Sequence, residues 1–376
     1  GHSCLVVESP LAALQRFAHH HRTRHAIPVI ALTGSCGKTT SKDLIASVLS
    51  SRYRVVKTQG NLNNEIGCPL SLLQIDSETD VAVIEMGANH MGEIASLCAL
   101  ARPTESAITI IAPAHLEGFG SVENVAKAKG EIVAGLAPDG VFYVNTDDAW
   151  CVRIAEAFQG EKVLFGSRGD IRAEVCESIA PGRMRLQVAP VGELVLPLLS
   201  HAHVTNVLLA IAVGLRHGIE EFQGPLEAAL TSAARCNVLQ VGPLTIIDDT
   251  YNANPASMAA SLDALARWPS DGVKMAALGE MLELGDSAAQ LHAELGAVAG
   301  QLGVAHLFAK GPHACDTIRA ARAAHVAHAD TMDNPDMIAE AVFAVAKPGD
   351  VLLVKGSRGM QMERVVDARR RLYSAV

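Results

Sequence analysis

The chain has 376 residues, 49% of them apolar and 19% charged, and 31 basic against 40 acidic side chains leave a net charge of −9. At roughly 150 residues per domain the length suggests two to three domains, and the apolar content excludes wholesale disorder. The acidic balance disfavours a nucleic-acid coat or an anionic-membrane binder, both of which need a basic face, and runs such as 206–213 fall short of the ~18 apolar residues of a spanning helix.

The opening, Gly1-His-Ser-Cys-Leu-Val-Val, has no basic stretch and no cleavage pattern, so a cytoplasmic protein is expected. A start without Met suggests that the natural N-terminus is missing. The eight cysteines, at 4, 36, 68, 98, 151, 176, 236 and 315, contain no C-x-x-C pair; reduced thiols are expected rather than a zinc site or a disulfide framework. Cys4–Val7 predicts a short strand, and Ser9-Pro10 starts a helix through Leu11, Leu14 and Phe17. His19, His20, His21 and His25, mixed with Arg22 and Arg24, read as a solvated helix end entering a linker, with a metal site as the alternative.

From Ile27 the pattern becomes strand–loop–helix. Ile27–Leu32, Val81–Met86, Ser106–Ile111 and Gly140–Asn145 are continuous apolar strands, and Ser41–Leu49 and Val122–Leu136 are helices. That alternation predicts a mostly parallel sheet covered on both faces. Val163–Phe165, Arg183–Val188 and Glu193–Leu196 are shorter and more alternating, and predict a small antiparallel attachment; 206–216 is helical. A second α/β series starts near Gly242, with strands at 244–249, 273–278, 305–309 and 350–355 and helices starting near Ala256, Ala288, His313 and Pro335. Residues 1–26, 27–234 and 235–376 are the expected units.

The strongest local signal is Thr33-Gly34-Ser35-Cys36-Gly37-Lys38-Thr39-Thr40, between a strand and a helix. Glycines let successive N–H groups point at phosphate oxygens, and the helix N-terminus adds positive potential. Lys38 would reach the β- and γ-phosphates of ATP, and the Thr39 hydroxyl would hold Mg²⁺. Leu32 stands where the common phosphate loop has Gly. Glu85 ends a strand beside this loop, where a metal-binding carboxylate belongs. His115 follows the next strand, as a metal ligand or a turn residue. Lys127 and Lys129, on the helix beyond, read from physics alone as solvated charges. Asn63 and Asn64 in the loop 60–69, and Tyr251, Asn252 and Asn254 after Asp248-Asp249, could bind a polar substrate or merely support turns.

Together these segments resemble the Mur ligase family, and within it the branch that adds D-alanyl-D-alanine to UDP-N-acetylmuramoyl-tripeptide. The resemblance runs in family order through Thr33–Thr40, Gly60–Pro69, Glu85–His90, His115–Ser121, Ala128–Glu131, Asp248–Met258, Leu278–Gly285 and Lys355–Arg358. It implies an ATP-binding middle domain, a Rossmann-like C-terminal domain and a monomer. It implies two Mg²⁺ ions, held by Thr39, Glu85, His115 and a carbamylated Lys129, which reverses the bland reading of that lysine. Asn206 would contact adenine, Arg235 the γ-phosphate and Asp249 the ribose. Tyr251, Asn252, Asn254, Lys355 and Arg358 would face the incoming dipeptide. The acceptor, UDP-muramoyl-tripeptide or an analogue, would be activated as an acyl phosphate and then captured by the amine of a dipeptide or amino acid.

Two features depart from the family pattern. Of the N-terminal domain that grips the UDP end, only a final strand and helix appear, in 1–26; either the chain is a fragment or this member has dispensed with UDP recognition. Ala202-His203 stands where the family has His-Asn, and Ala234-Arg235 where it has Gly-Arg. The cell-wall ligase is the leading reading. An amide ligase for a different acid and amine is the rival, and a non-catalytic relative a third, opposed by the retention of Lys38, Thr39, Glu85, His115 and Lys129. An NAD-dependent dehydrogenase is disfavoured because no G-x-G-x-x-G follows a strand.

Overall fold

A computed structural model describes residues 6–232 and 237–374. Six strands, β1 (Val29–Thr33), β2 (Val55–Lys57), β3 (Val81–Glu85), β4 (Glu105–Ile108), β5 (Val141–Asn145) and β6 (Glu161–Phe165), form one sheet in the order β2-β3-β1-β4-β5-β6. All its pairings are parallel. Strands β1, β3, β4 and β5 are buried along their length, as residues covered on both faces must be, whereas the edge strands β2 and β6 are partly exposed. Ile30, Leu32, Val81 and Val83 face one core, shared with helices Lys38–Ser50 and Ala202–Arg216. The alternate residues Val29, Ala31, Ala82 and Ile84 face a second, shared with helices Glu93–Ala101 and Val122–Ala134.

Three expectations change here. The segment Val163–Phe165 belongs to β6, paired parallel with β5, and not to the antiparallel attachment. Its polar alternation marks a sheet edge, which looks in sequence like a strand of a half-solvated sheet. The attachment is instead β7 (Arg172–Ala180), β8 (Arg183–Ala189) and β9 (Gly192–Leu196), with Met184, Leu186, Val188, Leu194 and Leu196 closing the first core. Strand β4 also ends at Ile108, short of the expected Ile111. Thr109, Ile110 and Ala112 instead meet the loop after β1, while Ile111 N–H donates to Asp148.

The C-terminal sheet runs β10 (Asn237–Val241), β11 (Leu244–Asp249), β15 (Val351–Lys355), β12 (Lys274–Gly279), β13 (His306–Lys310), β14 (His328–Thr331). Only β10 is antiparallel to its neighbour, so the sheet is mixed rather than purely Rossmann-like. Helices Pro255–Arg267, Ala288–Gln301, Ala314–Ala323 and Pro335–Val345 start within two residues of their expected positions.

The expected strand at Cys4–Val7 falls largely outside the described residues. The helix after it, Pro10–Thr23, is capped by the Ser9 hydroxyl accepting from Ala12 N–H. Its end is docked rather than solvated. The buried Arg22 guanidinium donates to the carbonyls of Ala101 at 2.9 Å and Ile27 at 3.1 Å, and also to that of His25. The His21 ring meets the Ile75 carbonyl at 2.6 Å. Arg22→Met should therefore destabilise the fold by about 2 kcal/mol or more, because it strands buried carbonyl acceptors. A thermal melt checks this, and an unchanged midpoint would leave the helix as a loose appendage.

Candidate active site

The loops leaving β1, β3 and β4 converge at the carboxyl end of the main sheet, where strand order reverses and α/β proteins form their ligand crevice. Gly34 lies so close to β4's continuation that a Cβ there would sit 2.1 Å from Thr109 Oγ1. Ser35 N–H donates to Ile110 O at 2.8 Å, and Thr109 Oγ1 donates to Cys36 O at 2.5 Å. Ser35 Oγ bonds Ala112 O at 2.8 Å. Gly37, at φ 82°, caps the helix Lys38–Ser50 without any side-chain cap, so the first-turn N–H groups of Lys38, Thr39 and Thr40 face the crevice. The helix starts three residues before the predicted Ser41, inside the motif. Lys38 Nζ folds back to Gly34 O at 2.6 Å.

Glu85, 1% exposed at the end of β3, gathers its neighbours. Its Oε2 accepts from Thr39 Oγ1 at 2.7 Å and its Oε1 from Asn63 Nδ2 at 2.8 Å. Lys42 Nζ lies 4.0 Å from Oε2 and 3.5 Å from Asp43, which also pairs with Lys57 at 2.6 Å. Burial pulls the Lys42 pKa down, opposed by Asp43 and Glu85. Sequence reasoning missed Lys42; its spacing of four from Lys38 on one helix was the available signal. Asn64, expected with Asn63 at the substrate, accepts from the N–H groups of Ile66 and Gly67 at the entry to the helix Gly67–Leu72.

Lys129 is 1% exposed, which overturns its reading as a solvated charge; Lys127 does fit that reading, paired on the surface with Glu123 at 3.0 Å. Lys129 Nζ donates to Ala88 O at 3.2 Å and lies 5.6 Å from the Phe119 ring centre. Burial, aided by the Lys38 charge, brings its pKa down to about 7. The loop that carries Ala88 is held by Glu131, whose carboxylate accepts from Gly92 and Ala95 N–H. His115 sits at φ 53°, and its Nδ1 pairs with the Glu283 carboxylate of the C-terminal unit. Burial lowers the His115 pKa, against the Glu283 charge.

Asn206 is buried beside the loop; its Oδ1 accepts from Ser41 Oγ at 3.0 Å and would lie 2.5 Å from a Cβ at Gly37. Asp249 pairs with the buried Lys355 at 2.6 Å across β11 and β15, and it also accepts from Ser261 Oγ. Lys355 further donates to Asn252 O at 2.9 Å, so this lysine is committed within its own domain. His203 lies near this pair: burial lowers its pKa and the Asp249 charge opposes that shift. Asn254 spans the two units, with Oδ1 capping the helix Pro255–Arg267 and Nδ2 donating to Ser35 O at 3.1 Å. Tyr251 is half-exposed, while Arg358 is largely exposed and pairs with Glu363 at 3.6 Å. Arg235 lies outside the described residues. No helix among the described residues is long and apolar enough to cross a membrane.

The Mur ligase middle-domain family matches residues 32–214, and the Mur ligase glutamate-ligase domain matches 234–358. The UDP-N-acetylmuramoyl-tripeptide--D-alanyl-D-alanine ligase of Bacillus subtilis is 35% identical over 375 residues, 97% of this chain and 80% of that protein. A crystal structure of MurF from Acinetobacter baumannii superposes with a TM-score of 0.88 at 33% identity, covering 98% of this chain and 82% of that one. The MurF ligase from Thermotoga maritima in complex with ADP superposes at 0.87 with 28% identity, over 99% and 86%. With both family domains matched in order and a MurF ligase 35% identical along almost its whole length, the chain belongs to the Mur ligase family, in its MurF branch.

Proposed function

We propose that this chain is the ADP-forming ligase that joins D-alanyl-D-alanine to UDP-N-acetylmuramoyl-tripeptide in the cytoplasm, for peptidoglycan synthesis. The observation that carries the reading is the convergence of Lys38, Thr39, Glu85, His115 and Lys129 around one crevice, in a chain that matches MurF enzymes along almost its whole length. The Thr39 hydroxyl and the Glu85 carboxylate are hard oxygen donors of the kind Mg²⁺ takes. Lys129 fits as a metal ligand only once carbamylated. Its burial and lowered pKa leave much of the amine neutral at pH 7, the form that adds CO₂. Thr39, Glu85, His115 and carbamylated Lys129 would together hold two Mg²⁺ ions, whose charge would neutralise the transferring phosphoryl oxygens.

The chain's own groups do the positioning. Lys38 and the N–H groups of 37–40 bind the nucleotide phosphates, with Gly34, Ser35 and Cys36 shaping the curl. Asn206 would contact the adenine, Arg235 the γ-phosphate, and Asp249, held by Lys355, the ribose. Asn63 orients Glu85. Tyr251, Asn252, Asn254 and Arg358 line the side from which the amine arrives. The acceptor carboxylate attacks the γ-phosphate, releasing ADP and forming an acyl phosphate. The amine then displaces phosphate through a tetrahedral intermediate. Apposed domains keep water from that acyl phosphate.

The test is ADP and phosphate release with UDP-muramoyl-tripeptide, D-alanyl-D-alanine and Mg²⁺, with the product confirmed by mass. Ligation only with a different acid or amine would move the assignment to another substrate pair.

A further inference from the structure

Two non-glycine residues with positive φ, His115 at 53° and Glu283 at 64°, face each other across the boundary between the middle and C-terminal domains. Such backbone is strained and persists only where its surroundings over-determine it. Here the strained residues are each other's partners: His115 Nδ1 pairs with the Glu283 carboxylate, and Glu117 N–H donates to Glu283 O at 3.2 Å.

The segment presenting Glu283 is pinned residue by residue. Met281 N–H donates to His292 Nε2 at 3.0 Å, Leu282 N–H to Ser357 Oγ at 2.9 Å, and Ser357 N–H to Glu280 O at 3.0 Å. Glu280 is itself held by His313, through Nδ1 at 2.5 Å and the backbone N–H at 3.1 Å. Glu280, His292 and His313 would suit a metal by residue type. Yet the polar atoms of Glu280 and His292 already have partners, His292 Nδ1 bonding Ala288 O at 2.8 Å, so the trio braces the segment instead.

We propose that Glu283 is a positioning residue that orients His115 for the metal only when the two domains are apposed, and so couples metal binding to occupation of the amine-donor cleft. This rests on the ligase reading above. A carboxylate on one ring nitrogen fixes the tautomer and aims the other nitrogen at a metal; loss of such a partner ordinarily weakens metal binding about 10–100-fold. In this chain the carboxylate comes from a different domain than the histidine. A donor that holds the domains together therefore tightens metal binding, and by linkage the metal tightens the donor equally.

The test measures Mn²⁺ binding to the full chain with ADP, by the electron paramagnetic resonance of free Mn²⁺, with and without D-alanyl-D-alanine. The wild type should bind Mn²⁺ about tenfold or more tighter with the dipeptide. Glu283→Ala should lose that gain while keeping its ADP affinity and melting temperature. Glu283→Gln, which can still accept from Nδ1, should keep part of it, and it decides the matter if the alanine variant does not fold. A wild type that ligates without dipeptide coupling, or variants that keep full coupling, would overturn the inference and leave the ligase reading intact. A wild type that neither ligates nor binds Mn²⁺ would overturn both.

Discussion

Lys129→Ala is expected to lower ligation about 10²–10³-fold, the scale for removing one preorganised charge-stabilising group, while ADP binding survives. Formate or acetate in the assay should restore part of the rate, since a short carboxylate can occupy the space that the proposed carbamate would fill. The buried position makes this specific: Lys129 is 1% exposed and donates to a single backbone carbonyl, Ala88 O. A solvated lysine with its ordinary pKa near 10.4 would be less than about 1% neutral at pH 7, whereas one brought to about 7 is roughly half neutral and can react with CO₂. The sign is definite. Lowering pH through 7 protonates the amine, so recovery of a decarbamylated enzyme at fixed dissolved CO₂ should slow as pH falls. Undiminished turnover by the alanine variant would remove Lys129 from the mechanism. A loss that no carboxylate repairs, in a folded protein, would leave the lysine important but uncarbamylated.

The second large effect belongs to Lys38. Lys38→Ala should lose ATP turnover about 10²–10³-fold with little change in melting temperature. Lys38 opens the helix Lys38–Ser50, where alanine is well tolerated, and the described core beneath it, Leu44, Ile45, Val48 and Leu49, is untouched. Normal phosphate release from the folded variant would refute the phosphate-loop assignment. Lys42→Met makes an informative contrast. Lys42 is buried between Asp43 and Glu85 and does not open onto the loop, so its loss should act through the placement of Glu85 and also disturb the fold.

Much of this was legible along the chain because parallel sheets write themselves as continuous apolar runs. β1, β3, β5, β11, β12 and β15 each lie within two residues of the expected strand, since between their polar ends the side chains are mostly apolar whichever face they point to. Elements with one polar face were less legible: β6 reads like a strand of a half-solvated sheet, and β2 and β10 are too short or too polar to stand out. The phosphate loop was also local, because its glycines, lysine and threonine act within eight consecutive residues.

Sequence by itself determined the α/β class, the glycine-bearing strand-to-helix loop with Lys38 and Thr39, the strand-end position of Glu85 and, through resemblance, the family. Tertiary structure decided the rest, because burial and pairing depend on what other segments bring. It buried Lys129 where helical periodicity left a solvated charge, gave Asn63 to Glu85 and Asn64 to the turn that enters the next helix, and tied Lys355 to Asp249. It also set Glu283 against His115, 168 residues away in the chain, a pairing that no local spacing encodes and only the apposition of two domains creates.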